Sequence, residues 1–292
     1  MAATFDSNSI SLLFQRPDTD GAFKGPALVQ MRALGKRRPV LLLCFAPKAA
    51  GTFFRQVAID AVNGGVFRVT HAQGGRDATP YLPAFVACYL DAAARPVVVH
   101  IHMQALAANR NFLDAFGLKP VIMLRDIPDM LASYWDMLDN DPIARADGLN
   151  CLIPSDFVTK SRQAKADFMV DIVAPWYASY FATWKDYVDA APETVCVLHY
   201  DAFRTEPAAT VHRALTHAGF AVSRATCDEV TEKVWSNRSA FRFNKGVKGR
   251  AAAYFSPAHI ERLRRMLAQY PQLAPWMGEL ICDGAEQIRL AS

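Results

Sequence analysis

The fold is decided by the stretch Val40-Leu41-Leu42-Leu43-Cys44-Phe45-Ala46-Pro47-Lys48-Ala49-Ala50-Gly51-Thr52. Its apolar first half is typical of a fully buried strand, and the apolar spacing of residues 53–62 predicts a helix after it. A loop of small residues with one lysine, Lys48, therefore joins a strand to a helix. Such a loop can bind phosphate, because backbone N–H groups and the positive end of the helix dipole face the ligand. The alternative is an ordinary strand-to-helix turn with an exposed lysine.

A second strand-to-helix junction follows the apolar residues 119–124. Arg125 ends this predicted strand, and Ser133 lies in the helix after it. A guanidinium can bind a phosphate through two parallel hydrogen bonds, and a hydroxyl can donate to a third oxygen. The alternatives are a surface salt bridge from Arg125 to Asp126 or Asp129, and a Ser133 hydroxyl that bonds back to its own helix.

The start of that helix has two candidate signals. Asp129 has the side chain of an N-cap residue, whereas Pro128 is suited to the first helical turn. Either choice leaves Arg125 at the strand end and Ser133 inside the helix.

The pattern of elements along the chain predicts an α/β fold. Apolar runs at 40–45, 95–102, 119–124 and 194–200 predict strands, and helical patterns lie between them, including 83–91 and a long one at 163–190 that is broken at Pro175. Residues 140–162 are predicted to be a loop, and a helix is expected to open at 206–208. We expect a three-layer sandwich with a central parallel sheet in a single domain over 1–292, preceded by a polar arm at 1–38.

Polar side chains are predicted at the carboxyl ends of these strands, where ligands bind in parallel sheets. Lys48, His102, Arg125 and Tyr200 all fall at or just past a strand end. The sequence therefore predicts one binding site to which all four residues contribute.

Composition and net charge limit the classes of protein and of ligand that suit this chain. The 292 residues are 52% hydrophobic and 21% charged, which suits a globular core. The net charge of +4 is compatible with a polyanionic ligand but too small to indicate nucleic acid as a partner. Six cysteines include no CxxC pair, which argues against zinc and against a disulfide framework. With no signal-peptide pattern and no apolar run near ~18 residues, we expect a cytoplasmic protein without a membrane span.

The two phosphate motifs resemble those of sulfotransferases that use 3′-phosphoadenosine 5′-phosphosulfate (PAPS), over residues 39–256. Residues 47–52 match the Pro-Lys-x-Ala-Gly-Thr form of the family's 5′-phosphosulfate loop. A Walker A loop instead places its lysine directly after the last glycine. Arg125 and Ser133 keep the eight-residue spacing of the family's 3′-phosphate site.

A third element of the resemblance is the run Asn244-Lys245-Gly246-Val247-Lys248-Gly249, which is similar to the family's Arg-Lys-Gly-x-x-Gly segment over the 3′-phosphate. Asn244 stands where the family has arginine, and Arg242 is a candidate substitute. The family's Asp-Trp-Lys is replaced here by Arg250-Ala251-Ala252. An exposed basic turn is the alternative for this segment.

The resemblance also implies roles for single residues. His102 takes the position of the general base in the family's Lys-Thr-His strand end, and His100 takes the position of the lysine. The alternatives are a core role for His100, a strand-capping role for His102, and a His-x-His metal pair, which is disfavoured because no further ligand is near in sequence. Phe53 corresponds to an adenine-stacking position or packs in the core, and Tyr200 is expected at the adenine edge.

The implied protein has a P-loop-like sulfotransferase fold and transfers a sulfuryl group from PAPS to a hydroxyl or phenol of a small-molecule acceptor. Lys48 and His102 are the expected catalytic residues, and no metal is expected. The expected nucleotide-binding set is Lys48, Ala49, Ala50, Gly51, Thr52, Phe53, Arg125, Ser133, Tyr200, Asn244, Lys245 and Gly246. Two alternatives remain open: a P-loop nucleotide kinase that needs ATP and magnesium, and a non-catalytic, nucleotide-binding sulfotransferase homologue.

Overall fold

The computed structural model describes residues 39–67, 80–81, 84–85, 87–88, 95–147, 151–237 and 249–282. Its centre is a five-stranded sheet with the order β2-β3-β1-β4-β5, in which every pairing is parallel. The strands are β1 (Val40–Leu43), β2 (Gly65–Phe67), β3 (Val97–His100), β4 (Pro120–Leu124) and β5 (Cys196–His199). The predicted central parallel sheet is confirmed.

Helices follow or separate these strands. The α-helices are α1 (Gly51–Val62), α2 (Ala107–Phe116), α3 (Ile127–Asn140), α4 (Pro142–Asp147), α5 (Arg162–Phe168), α6 (Ala174–Ala190), α7 (Tyr200–Thr205), α8 (Pro207–His217), α9 (Arg224–Ser236), α10 (Pro257–Leu267) and α11 (Met277–Leu280). Short 3₁₀ turns lie at Phe157–Thr159, Arg250–Ala253 and Pro271–Trp276, and a π-helical turn lies at Met169–Val173.

The direction of each connection between parallel strands shows on which face of the sheet its helix lies. From β1 the chain moves through α1 toward the β2 edge, whereas from β4 it moves toward the β5 edge, with α3 as the first helix of that connection. Because parallel crossovers are right-handed, opposite directions put α1 and α3 on opposite faces of the sheet. Strands β1 and β4 are apolar throughout and fully buried, as strands covered on both faces must be. The chain therefore has the predicted three-layer α/β architecture.

The predicted loop at 140–162 is wrong in part. Residues Pro142–Asp147 form α4, because the Asp141 side chain accepts the amides of Ile143 (3.0 Å) and Ala144 (3.1 Å) and caps the helix. The proline that suggested a loop is instead the first helical residue, where its missing N–H is not needed.

The predicted break at Pro175 is a change of helix type and not an end of the helix, because residues 162–190 stay helical and Pro175 lies in the first turn of α6. The long helical segment widens into the π-helical turn at Met169–Val173, and α6 begins directly after it. Proline has no N–H to donate to the preceding turn, so the hydrogen-bond ladder must be interrupted there.

Two strand ends differ slightly from prediction. β3 ends at His100, the last residue that pairs with β1, so His102 lies just beyond the sheet. β5 ends at His199, and Tyr200 begins α7. The 1–38 arm lies outside the described residues, as does the segment 241–248 with its predicted site residues Asn244, Lys245 and Gly246.

Candidate functional site

The loop between β1 and α1 has an unusual backbone. Lys48 and Ala50 both adopt positive φ values, 66° and 64°, although neither is a glycine. A left-handed conformation costs such residues roughly 1–2 kcal/mol each. Ala50 is the N-cap of α1 and makes no side-chain capping bond, so no side chain of the cap occupies the first amides of the helix. Left-handed residues in such a turn direct successive N–H groups into one concavity, which is a known anion-binding arrangement.

Five consecutive carbonyl groups at the start of this loop accept hydrogen bonds. The Cys44 carbonyl accepts a hydrogen bond from the Tyr180 hydroxyl, and the Phe45 carbonyl accepts one from Nδ1 of His102 (2.6 Å). The Ala46 carbonyl accepts the Ala49 amide (3.1 Å). The Pro47 carbonyl accepts the Tyr177 hydroxyl (3.1 Å), and the Lys48 carbonyl accepts the Arg125 guanidinium (2.5 Å). The peptide planes of residues 44–48 are thereby fixed. The groups that remain for a ligand at the start of α1 are N–H donors, which suit an anion.

Arg125 lies directly after β4 and is 9% exposed. Its guanidinium carbon lies 4.0 Å from the ring centroid of Tyr200, and its NH1 group donates to the Lys48 carbonyl. The buried Nε atom has no hydrogen-bond partner in the described part of the chain. A buried, unsatisfied donor on a cation is costly unless a ligand completes it. The predicted residues Lys48, Arg125 and Tyr200 are thus brought together, and the arginine retains a donor for an anion.

Asp126 is the N-cap of α3. Its Oδ1 atom accepts the Asp129 amide at 2.8 Å, which corrects the suggestion that Asp129 caps the helix, while Pro128 lies in the first turn as expected. Its Oδ2 atom accepts the amide of Cys282 at 2.7 Å. Burial raises the pKa of Asp126 to about 6, and the neighbouring Asp129 adds to the rise, against the lowering by its two backbone hydrogen bonds and by Arg125.

The Asp129 carboxylate also accepts hydrogen bonds from two backbone amides. Its two carboxylate oxygens accept the amides of Gly249 (2.8 Å) and Ala251 (3.0 Å). Among the described residues, Arg125 therefore forms no ion pair with Asp126 or Asp129, contrary to the surface salt bridge that was the alternative for this residue. Backbone amides hold both carboxylates, and neither is in direct ion-pair contact with the arginine.

His102 is 6% exposed and lies two residues past β3. Its Nδ1 atom lies 2.6 Å from the carbonyl oxygen of Phe45. A carbonyl only accepts, so Nδ1 carries the hydrogen and Nε2 is the basic nitrogen of the neutral ring. The contact with the strand end fixes both the ring orientation and the tautomer that a general base requires.

His100 occupies a different place. Its ring centroid is 5.0 Å from that of His102 and 6.2 Å from that of Phe45, and the side chain is 9% exposed. A Cβ atom added to Gly51 would lie 2.4 Å from the His100 ring, so this ring packs against the first residue of α1. His100 is part of the buried layer beneath the loop, in line with the predicted core role.

One further predicted site residue, Ser133, lies on α3, and Lys48 is directed toward the same helix. Ser133 is 4% exposed and follows Asp129 by one helical turn. The Lys48 ammonium lies 3.6 Å from the sulfur of Met137, one turn beyond Ser133. The side chain of Lys48 is therefore directed toward the helix that carries Ser133.

Phe53 is 3% exposed and packs edge-on against Phe203 (6.0 Å between ring centroids) and Trp235 (5.7 Å). This packing fits the core alternative for Phe53, and its contact with adenine stays a prediction.

Two tyrosines that hold the loop, Tyr177 and Tyr180, are not among the predicted site residues. Both tyrosines lie in α6 and are fully buried. A buried tyrosine usually finds a partner for its hydroxyl, which was a signal that some acceptor lay nearby. The identity of that acceptor is not encoded locally.

Two negative findings concern the described residues alone. No group of three or more His, Cys, Asp or Glu side chains there is arranged to hold a metal ion. None of the described helices combines the length and the hydropathy needed to cross a membrane.

No protein-family model and no curated protein sequence matches this chain. Among solved structures it is similar to mouse sulfotransferase SULT7A1 complexed with PAP (3′-phosphoadenosine 5′-phosphate), with 12% identity, a TM-score of 0.60, and coverage of 85% of this chain and 90% of that chain. A sulfotransferase from Alicyclobacillus acidocaldarius also matches, with 16% identity, a TM-score of 0.45 and coverage of 82% and 95%. Retinol dehydratase with androsterone and inactive cofactor PAP matches with 12% identity, a TM-score of 0.45 and coverage of 92% and 95%. The similarity to the mouse enzyme establishes that this chain has the sulfotransferase fold.

Proposed function

We propose that this protein is a PAPS-dependent sulfotransferase that transfers a sulfuryl group to a hydroxyl or phenol. The observation that carries the proposal is the position of Arg125, a buried cation with an unsatisfied donor that is bonded to the Lys48 carbonyl of the amide-lined loop. Two anion-binding features are therefore adjacent, and the product PAP carries two phosphate groups on one ribose. The mouse enzyme of the same fold was crystallised with PAP.

The proposed binding roles follow the chemistry of each group. The backbone groups of residues 50–53, with the Thr52 hydroxyl, hold the 5′-phosphate at the start of α1. Arg125 and Ser133 hold the 3′-phosphate, which distinguishes PAPS from adenylates that lack it. Tyr200, already stacked on Arg125, is assigned to the adenine edge. The proposed nucleotide-binding set is completed by Lys48, Ala49, Phe53, Asn244, Lys245 and Gly246.

The proposed transfer is in line. PAPS supplies the sulfuryl group, so the acceptor oxygen forms a bond to sulfur while the bond from sulfur to the 5′-phosphate oxygen breaks. Nε2 of His102 takes the acceptor proton, and Nδ1 stays bonded to the Phe45 carbonyl. The Lys48 ammonium stabilises the charge that develops on the leaving phosphate. The scheme assigns no role to a metal. The cytoplasmic location, the single domain and the identity of the acceptor stay predictions.

Radiolabelled PAPS offered with a panel of alcohols and phenols tests the transfer. Labelled acceptor that forms in the presence of a chelator supports the sulfotransferase. PAP binding without transfer to any acceptor identifies a non-catalytic homologue instead. Binding of ATP that requires magnesium, together with no binding of PAP, identifies a nucleotide kinase and overturns the proposal.

Calorimetry with PAP and 5′-AMP tests the 3′-phosphate assignment. Hydrogen bonds to a charged group contribute about 1.5–3 kcal/mol, which corresponds to roughly 10- to 150-fold in affinity. We therefore expect PAP to bind at least about tenfold more tightly than 5′-AMP. Equal affinities for the two nucleotides would refute the roles of Arg125 and Ser133.

A further inference from the structure

One face of α6 contacts the phosphate loop. The hydroxyl of Tyr177 donates to the carbonyl of Pro47 at 3.1 Å, and that of Tyr180 donates to the carbonyl of Cys44. Both rings are fully buried. Burial raises the pKa of each phenol well above its usual value, so both hydroxyls keep the proton that they donate.

The next turn of the same helix contacts the segment that follows His102. The indole N–H of Trp184 donates to the Met103 carbonyl at 2.9 Å, and the hydroxyl of Thr183 accepts the Ala105 amide at 3.2 Å. These bonds fix the backbone immediately after the proposed base.

The spacing of these side chains explains why one helix reaches both segments. Tyr177, Tyr180 and Trp184 stand at positions i, i+3 and i+7, which lie on one face of an α-helix. This face therefore bonds to the backbone on the nucleotide side and to the backbone on the base side. A helix is a rigid element, so it fixes the separation of the two segments.

We propose that α6 sets the position of the phosphate loop relative to His102, with Tyr177 and Tyr180 as positioning residues for the loop and Thr183 and Trp184 as positioning residues for the base. The proposal rests on the proposed sulfotransferase function. The reacting atoms must be held close to their transfer geometry before the reaction begins, and small displacements reduce the rate strongly.

The strained loop makes this anchoring necessary. Lys48 and Ala50 hold positive φ values that the isolated chain would not favour. Tyr177 and Tyr180 donate to carbonyls that precede Lys48 in the sequence. These hydrogen bonds fix the peptide planes that lead into the strained turn. Without these bonds the N–H groups at the start of α1 are no longer pre-organised for a phosphate.

Tyrosine-to-phenylalanine variants test the loop side, because they remove a hydroxyl and keep the ring. We expect Tyr177→Phe and Tyr180→Phe each to weaken PAP binding about 3- to 10-fold, the equivalent of one neutral hydrogen bond. The matched control is Tyr187→Phe, which removes a hydroxyl from the same helix that bonds to Asp114 (2.6 Å) rather than to either segment. Its PAP affinity should equal that of the wild type.

The base side is tested by Thr183→Val, which keeps the side-chain shape. We expect it to lower kcat about 3- to 10-fold and to leave PAP affinity unchanged, the reverse of the pattern in the tyrosine variants. A purely structural role would lower thermal stability in all four variants, Tyr187→Phe included, without this division between binding and turnover.

A second readout does not depend on the proposed function. The Ala49 amide is bonded to the Ala46 carbonyl at 3.1 Å, inside the anchored loop. Hydrogen exchange at this amide should accelerate in Tyr177→Phe and Tyr180→Phe but not in Tyr187→Phe. If the wild type binds no PAP while exchange follows this pattern, the sulfotransferase function fails and the anchoring stands. If exchange and PAP affinity both match the wild type in the two loop variants, the anchoring proposal is wrong.

Discussion

The Arg125 guanidinium donates a 2.5 Å hydrogen bond to the carbonyl oxygen of Lys48. The end of β4 is thereby fastened to the loop that follows β1, although the two residues are far apart in sequence. Strands β1 and β4 are neighbours at the point where the order of the sheet reverses, which is where ligands bind in open parallel sheets. Binding of an anion at Arg125 and binding at the loop amides are therefore expected to reinforce each other.

Lys48 tests whether the loop participates in the chemistry. The substitution Lys48→Met keeps the length of the side chain and removes its charge. We expect turnover to fall by about 10²–10³-fold, as on removal of one donor that stabilises transition-state charge, with a much smaller loss of PAP affinity. Turnover and PAP affinity are measured by labelled transfer and by calorimetry.

The matched variant is Lys48→Arg, which keeps the charge and should retain more turnover than Lys48→Met. If Lys48→Met turns over at nearly the wild-type rate, the lysine is only a loop residue.

Gly51 tests the packing beneath the loop. In Gly51→Ala the new Cβ would lie 2.4 Å from the His100 ring, so the ring or the start of α1 must move. We expect a loss of about 1–3 kcal/mol in the free energy of unfolding, typical of overpacking, together with weaker PAP binding. Denaturant unfolding and calorimetry provide the two measurements.

The control for this substitution is Gly278→Ala, because a Cβ there meets nothing within 4 Å. It should be neutral or slightly stabilising. A Gly51→Ala protein with wild-type stability and PAP affinity would mean that His100 does not support the loop.

Much of this site could be predicted because its signals are local. The buried strand, the small-residue loop and the apolar helix after it are contiguous, and the strand-end positions of Arg125 and His102 follow from short apolar runs. Parallel strands place their carboxyl ends at one edge, so the convergence of these residues also followed.

The remaining contacts could not be predicted, since they join distant segments. Nothing near Tyr180 in the sequence indicates that its hydroxyl donates to the carbonyl of Cys44, the residue that follows β1. Likewise, the Asp129 carboxylate accepts the amides of Gly249 and Ala251 only because the C-terminal part of the chain passes beside it. Backbone donors and acceptors are the same in every residue, so their long-range partners leave no trace in residue type.

Asp126 gives a pH-dependent prediction. Its pKa is raised from 3.8 to about 6 in the folded protein, chiefly by burial. The folded state therefore binds this proton more tightly than the unfolded state, and the stabilising contribution is complete below about pH 4 and lost as the pH rises through 6. The change amounts to as much as about 3 kcal/mol, from 1.36 kcal/mol per pKa unit.

The measurement is denaturant unfolding of the wild type and Asp126→Asn between pH 4 and 7. Asp126→Asn cannot ionise at this position, so its free energy of unfolding relative to that of the wild type should increase from pH 4 to pH 7. The loss of one carboxylate acceptor shifts this difference by a constant amount and does not change its pH dependence. Asp156→Asn is the control, since Lys160 lowers the pKa of Asp156 and any effect belongs below about pH 4. Parallel curves for Asp126→Asn and the wild type would contradict the raised pKa.

His102 is the decisive test of the transfer step. The substitution His102→Asn places an amide N–H where Nδ1 now donates to the Phe45 carbonyl, and it provides no basic nitrogen in place of Nε2. We expect turnover to fall by about 10²–10⁴-fold, the usual range for a positioned general base. PAP affinity should stay close to that of the wild type, because the anchoring contact is kept. An aliphatic alcohol is the appropriate acceptor, since a phenol of low pKa needs less help from a base.

The pH–rate profile separates the base from a positioning residue. In the wild type, activity should fall on the acidic side as the base becomes protonated, and this limb should be absent from the residual activity of His102→Asn. His100→Ala removes the ring beneath Gly51, so it should reduce stability and PAP affinity but retain the acidic limb. If His100→Ala is instead the inactive variant and His102→Asn is active, the base is His100. If both variants retain full turnover, the acceptor proton leaves to another group and the role assigned to this strand end is wrong.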